Sequence, residues 1–286
     1  MTDVSEPTTI YTIQARRARQ PYCNPLREKL RRGERTLGLW ITLSAPAVTE
    51  IAAQLGLDWV CVDMEHGATD FADLTNHLRA AKGTGLAVFA RVSSISSENI
   101  ARCLDLGVDG IVLPMVRSAE EVRRALDWML YPPRGSRGLG GERAQKWGLG
   151  VDDYVASAND ELILMPMIEH IDAVNCIDEI FAIPGLDFFF VGPGDLSSSL
   201  GHCGEWSTPE TAKAIAHVLE RAKVHGVTPG IYAHGTAEVK QRTDEGFRII
   251  AMGSDLPMMI TKISTDLAVI AAEANGTDTI DKTGAR

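Results

Sequence analysis

The sequence predicts a closed (β/α)8 barrel, and three observations carry that expectation. Eight short apolar runs follow one another after residue 36. Most are apolar at nearly every position, as strands covered on both faces of a parallel sheet are. Stretches with helical periodicity fill the intervals, and a regular strand–helix alternation repeated eight times favours a closed barrel over an open sheet. The 286-residue length agrees, since a barrel of this kind takes about 250 residues.

The first strand is LGLWITL (37–43), followed by the amphipathic AVTEIAAQLG (47–56). WVCVDM (59–64), LAVFARV (86–92) and GIVLPMV (110–116) supply the next three strands. SAEEVRRALDWML (118–130) repeats its apolar positions at helical spacing. From Tyr131, YPPRGSRGLGGERAQKWGLGVDDYVA is too rich in glycine and proline for a plain connection, so an ordered lid or subunit contact is expected there. Its Arg134, Arg137 and Arg143 are read as structural partners rather than substrate ligands.

The second half continues with LILMPMIE (162–169), the helical AVNCIDEIFAI (173–183), DFFFVG (187–192), PGIYA (229–233) and FRIIAMG (247–253). LPMMITKISTDLAVIAAEA (256–274) then reads as a helix with an apolar stripe. The expected organisation is one catalytic barrel over residues 26–275, a flexible extension at 1–25 and a flexible tail at 276–286. Arg16, Arg17 and Arg19 give the extension some look of a transit peptide, but Asp3 and Glu6 count against it. No GxGxxG follows an early strand, which weighs against a dinucleotide site.

Composition excludes several classes. A net charge of −10 argues against nucleic acid or an anionic membrane as partner. No apolar run reaches the roughly 18 residues of a membrane span. Cys23, Cys61, Cys103, Cys176 and Cys203 are scattered without CxxC spacing, so neither a disulfide framework nor a zinc cluster is expected, and a reducing cytoplasm is the default.

Chemistry in a barrel gathers at the C-terminal strand ends. Read in order, those ends offer Trp40 or Ser44, then Asp63, Glu65 and His66, then Arg91, Glu169 and Asp195. Alone, each has an ordinary explanation: a carboxylate caps a helix, a histidine packs, an arginine pairs with a neighbour. Together they form too ionisable a rim for that. Glu169 and Asp195 are hard oxygen donors suited to Mg²⁺ or Mn²⁺, with positions left for a bidentate keto acid and water. Glycines on either side of Pro193 let the N–H groups of Gly194 and Asp195 approach a substrate carboxylate. His66, with an ordinary pKa of about 6.5, is the proton-transfer candidate. Asp63 is expected to orient its imidazole, Arg91 to face a developing enolate oxygen, and Glu65 to hold metal-bound water. No lysine ends an expected strand, so a Schiff-base mechanism is disfavoured.

DMEHGA, FARV, YPPRGSRG, AQKWG, MIEH and FVGPGDLSSSLG together resemble the HpcH/HpaI family of metal-dependent pyruvate aldolases, over about residues 37–256. The resemblance implies a barrel of the phosphoenolpyruvate/pyruvate-binding type, a divalent Mg²⁺, Mn²⁺ or Co²⁺ cofactor, and an enolate made from pyruvate that adds to an aldehyde or is released in the reverse cleavage. It implies His66 as base with Asp63 its partner, Arg91 as enolate stabiliser, Glu169 and Asp195 as metal ligands, and Trp40 and Phe190 as pocket walls. It also implies a hexamer whose final helix packs on a neighbouring subunit. Many relatives carry Gln-Ile-Glu where this chain has Met167-Ile168-Glu169 followed by His170. That departure keeps open an enolate-using relative, such as an oxaloacetate decarboxylase or a biosynthetic carbon–carbon bond-forming enzyme. A non-catalytic keto-acid-binding barrel is a third reading, disfavoured because every catalytic group is present.

Overall fold

The computed structural model describes residues 21–277. Its eight strands are β1 (Thr36–Ile41), β2 (Trp59–Asp63), β3 (Ala87–Arg91), β4 (Gly110–Leu113), β5 (Ile163–Ile168), β6 (Phe188–Val191), β7 (Thr228–Tyr232) and β8 (Ile249–Ser254). They run parallel and close in chain order, with β8 returning to β1. The strands lie within or at the edge of the expected runs, because burial on both faces leaves an unbroken apolar signature.

Side chains alternate between the barrel interior and the surrounding helices. Trp59, Phe89, Met165, Phe190 and Ile249 are among those that fill the interior. Space for the rings comes from glycines on neighbouring strands: a Cβ on Gly38 would stand 2.1 Å from the Trp59 ring, and one on Gly230 would stand 2.6 Å from Phe190. Val60, Val62, Leu164, Phe189 and Ile250 point outward into the larger core beneath the helices.

Between strands run α2 (Pro46–Gln54), α3 (Phe71–Ala80), α4 (Ser97–Leu106), α5 (Ala119–Met129) and α6 (Val151–Glu161). The second half adds α7 (Ile171–Asn175), α8 (Ile177–Phe181), α9 (Pro193–Ser199), α10 (Pro209–His225), α11 (Gly235–Glu245) and α12 (Asp255–Thr277). Ahead of the barrel, α1 (Pro25–Arg31) closes its N-terminal end by inserting the fully buried Leu26 into the interior cluster. Asn24 caps α1 and donates to the Asp109 carbonyl at 2.8 Å, while Tyr22 bonds the Asp109 carboxylate at 2.8 Å. The last residues of the expected extension are therefore built into the base of the barrel. Its residues 1–20, and 278–286 of the expected tail, lie outside the described residues.

Three elements differ from expectation. The 110–116 run stops being strand at Leu113, and Met115 takes a left-handed backbone with φ 49°. The helix expected over 173–183 is two short helices hinged at Cys176, whose φ −112° and ψ 25° leave the helical region. The long glycine-rich segment is no lid. It follows α5, and a helix antiparallel to its strand ends at the N-terminal side of the barrel, away from the strand ends that carry the site. Arg143 donates there to the Leu106 and Leu78 carbonyls at 2.7 and 3.1 Å, capping α4 and α3 together. Arg137 is buried between Tyr131 and Tyr154 and bonds Asp105 at 2.9 Å. Arg134 pairs with Asp160 at 2.5 Å, so all three arginines act structurally within the chain.

The 23-residue α12 leaves the barrel with Leu256, Met259, Ile260, Ile263, Leu267 and Ile270 all exposed. No helix among the described residues is long and apolar enough to cross a membrane.

Candidate active site

The alternation that fills the interior also aims the functional groups. Asp63 follows Trp59 and Cys61 on the inward face of β2, Arg91 follows Ala87 and Phe89 on β3, and Glu169 stands one residue past β5 in step with Met165 and Met167. Each is the last inward-facing residue at the C-terminal rim, where the apolar filling ends. Trp40 takes the same place on β1, packed at a tilt against the fully buried Phe190 with ring centroids 5.4 Å apart.

Asp63 and Arg91 form the rigid floor. Arg91 Nε donates to Asp63 Oδ1 at 2.9 Å and Nη2 to Oδ2 at 2.5 Å, the two-point fork that suits a guanidinium to a carboxylate. Trp40 Nε1 donates to Oδ2 at 3.3 Å, and the N–H groups of Glu65 and His66 donate to Oδ1 at 3.0 and 3.1 Å. Burial pulls the Asp63 pKa up, but the Arg91 hydrogen bonds and charge, with the two N–H donors, hold it below the ordinary carboxylate value. The remaining Arg91 nitrogen lies 3.0 Å from Glu65, and the guanidinium sits over the Trp40 ring at 5.3 Å.

This arrangement corrects one expectation. Asp63 does not orient the His66 imidazole; its oxygens are taken up by Arg91, Trp40 and main-chain N–H groups. It holds the His66 backbone instead. The imidazole is largely exposed at the mouth, and its nearest carboxylate is Glu65, 3.9 Å from Nε2. Glu65 is itself shifted: burial raises its pKa, against the lowering effect of Arg91.

Glu169 is the rim carboxylate with an unpartnered buried oxygen. It is buried, and its Oε1 accepts the Met115 N–H at 2.7 Å, while Oε2 has no hydrogen-bond partner. Burial raises its pKa to about 7, partly offset by the Met115 bond, and the nearby Asp195 and Glu65 charges push the same way as burial. Gly192 makes room for the open oxygen, since a Cβ there would meet Oε2 at 2.4 Å. Asp195 lies on the exposed first turn of α9 rather than at the end of β6, and no side chain caps that helix, which frees the Gly194 and Asp195 N–H groups toward the rim.

A buried carboxylate oxygen without a donor, within the electrostatic reach of a second carboxylate, fits a cation. No group of three or more His, Cys, Asp and Glu converges as a metal cluster among the described residues. The donor set is thus two hard carboxylates, with the rest of a shell left to small molecules.

Sequence reasoning missed Met115. Its left-handed backbone turns the N–H onto Glu169, in a non-glycine residue where such a backbone is disfavoured. An apolar run ending in Met-Val carries no sign of that. Asp255 was also missed. Its carboxylate accepts from the Thr42 and Leu43 N–H groups at 3.0 Å and fixes the loop after β1. Its place just after the eighth strand was the available signal.

Residues 36–261 match the family model described as HpcH/HpaI aldolase/citrate lyase. The chain belongs to that family. It is 36% identical over 246 residues to the hydroxypyruvate/pyruvate aldolase of Paraburkholderia phytofirmans, covering 84% of this chain and 94% of that protein. It is 33% identical over 255 residues to the 2-keto-3-deoxy-L-rhamnonate aldolase of Escherichia coli K12, covering 88% and 95%. The crystal structure of an HpcH/HpaI aldolase/citrate lyase family protein from Burkholderia cenocepacia J2315 superposes with a TM-score of 0.81 at 32% identity, covering 87% of this chain and 99% of that one. The chain is accordingly an enzyme of the aldolase type, and aldolases of the HpcH/HpaI family depend on a divalent metal.

Proposed function

We propose that this chain is a divalent-metal-dependent aldolase that makes or breaks 4-hydroxy-2-oxo acids through the enolate of pyruvate. The observation that carries the reading is the buried Glu169, one oxygen pinned by Met115 and the other without a partner, with Asp195 adding negative charge beside it. Glu169 and Asp195 would hold Mg²⁺, Mn²⁺ or Co²⁺. When bound, that cation polarises the keto group and so acidifies the neighbouring methyl.

The chain's own residues supply the rest. The N–H groups of Gly194 and Asp195 receive the substrate carboxylate, and Trp40 and Phe190 wall the pocket against water. Arg91, kept charged by Asp63 and Glu65, presents its remaining N–H bonds to the oxygen that gains charge. His66, with Glu65 as its carboxylate neighbour, takes the methyl proton. The enolate carbon then bonds to the aldehyde carbon, and the aldehyde oxygen takes up a proton. Cleavage is the reverse.

The exposed apolar row of α12 supports a homo-oligomer that covers it, a hexamer in keeping with the family resemblance. The free, scattered cysteines support a reducing cytoplasm. The same enolate chemistry also admits a second use of the site, decarboxylation of oxaloacetate. Deuterium exchange into the pyruvate methyl, followed by NMR with Mn²⁺ or Mg²⁺ and again with EDTA, tests the primary reading. Metal-dependent exchange is expected. Its absence, with oxaloacetate consumed in parallel, would transfer the assignment to decarboxylation.

A further inference from the structure

Five rings form a continuous wall leading out of the barrel. Phe190 and Trp40 are its inner end. Tyr232 stands edge-on to Trp40 at 6.4 Å, His234 meets Tyr232 at 4.9 Å, and Trp206 meets His234 at 4.5 Å. Exposure climbs along the wall, from 0% at Phe190 through 5% at Trp40 to 48% at Trp206. The inner rings belong to the pyruvate pocket. Trp206 and His234 have no task in the enolate chemistry, yet they leave aromatic surface open to solvent beside it.

The outer end lies against the metal-side helix. A Cβ on Gly194 would stand 3.7 Å from the Trp206 indole, one residue from Asp195. A molecule bonded to an enolate held at Asp195 would extend past Gly194 and along these rings. The charges beside them leave a net negative balance. Of the described residues lining the groove behind Trp206 and His234, Arg242 is the one cation, and it is bound at 3.0 Å by both Glu238 and Glu245. Glu238 also accepts the His234 N–H at 2.7 Å. An acidic group would find no free cation there and would meet glutamates.

We propose that Trp206 and His234 bind the acceptor, and that the acceptor is an uncharged aldehyde presenting a C–H or aromatic face to them. This inference rests on the pyruvate-enolate reading above. Edge and face contacts of this kind are worth about 2–13-fold in binding when one ring is lost.

Aldol addition of pyruvate to glycolaldehyde, benzaldehyde and succinic semialdehyde, measured on wild type, Trp206→Ala, Trp206→Phe and His234→Ala, tests it, with pyruvate methyl exchange followed on the wild type. The two neutral aldehydes should be preferred. Trp206→Ala and His234→Ala should raise KM for them by about 2–13-fold with little change in KM for pyruvate, and Trp206→Phe should recover most of the loss. Unchanged aldehyde KM in both alanine variants, or a preference for succinic semialdehyde, would overturn the acceptor wall alone. Absence of methyl exchange in the wild type would overturn the enolate reading and the wall with it.

Discussion

Glu169→Gln should stabilise the metal-free protein at high pH and much less at low pH. Glutamine keeps the shape and an amide oxygen for the Met115 N–H, and removes only the charge. Burial lifts the Glu169 pKa from an ordinary 4.5 to about 7. A raised folded-state value means that the folded form binds its proton more tightly than the unfolded chain. The stability this supplies is fully present below about 4.5 and is lost as pH rises through about 7. The loss amounts to about 3 kcal/mol by pH 8 and under about 1 kcal/mol at pH 5. With about 2–4 °C per kcal/mol for a domain of this size, the variant should melt roughly 6–12 °C above wild type at pH 8, with a much smaller gap at pH 5. Thermal and urea unfolding in EDTA at the two pH values measure it. Adding Mn²⁺ should raise the wild-type midpoint and leave the variant nearly unmoved, because only the wild type offers the second anionic ligand. A gap that is independent of pH, or a variant less stable than wild type at pH 8, would refute the burial argument. Equal stabilisation of both by Mn²⁺ would refute the ligand assignment.

Other perturbations test the floor, the base and the packing. Asp63→Ala leaves the buried Arg91 with Glu65 alone and should cost about 3–5 kcal/mol in urea unfolding; a near-neutral change would show that Glu65 suffices. Leu26→Ala opens the N-terminal end of the barrel and should cost about 2–5 kcal/mol, read from the same unfolding curves. Gly38→Ala drives a methyl into the Trp59 ring on the paired strand, for a loss of about 1–3 kcal/mol and a shift in tryptophan fluorescence. His66→Ala should slow pyruvate methyl exchange by roughly 10²–10⁴-fold; a negligible effect would assign the proton transfer to another group.

Strand positions and strand-end chemistry were legible in the chain because both follow from local patterns. A strand covered on two faces must be apolar throughout, and the first ionisable residue after it must stand at the rim. Asp63, Arg91 and Glu169 could be placed by that rule, and the two-residue alternation aims all three inward. Asp195 fits it less well. Two residues beyond the strand begin a helix, so its carboxylate sits on an exposed turn rather than at a strand end. Met167 and His170 stand out in the sequence, yet their sites differ: Met167 fills the interior, and His170 caps α7 by accepting the Asp172 N–H at 3.1 Å.

By itself, then, the sequence determined the barrel, the order of its strands and the identity of the rim residues, since these depend on burial periodicity within short segments. Tertiary structure alone decided who pairs with whom. Asp63 could have served His66 three residues away, but β2 and β3 lie in register and bring Arg91 directly opposite it, and a guanidinium fork outcompetes an exposed imidazole for both oxygens. The same holds for the Met115 bond to Glu169, for Arg143 capping two distant helices, and for the aromatic wall drawn from three strands and two loops. Each joins residues far apart in the chain, and their distances become defined only when the barrel closes.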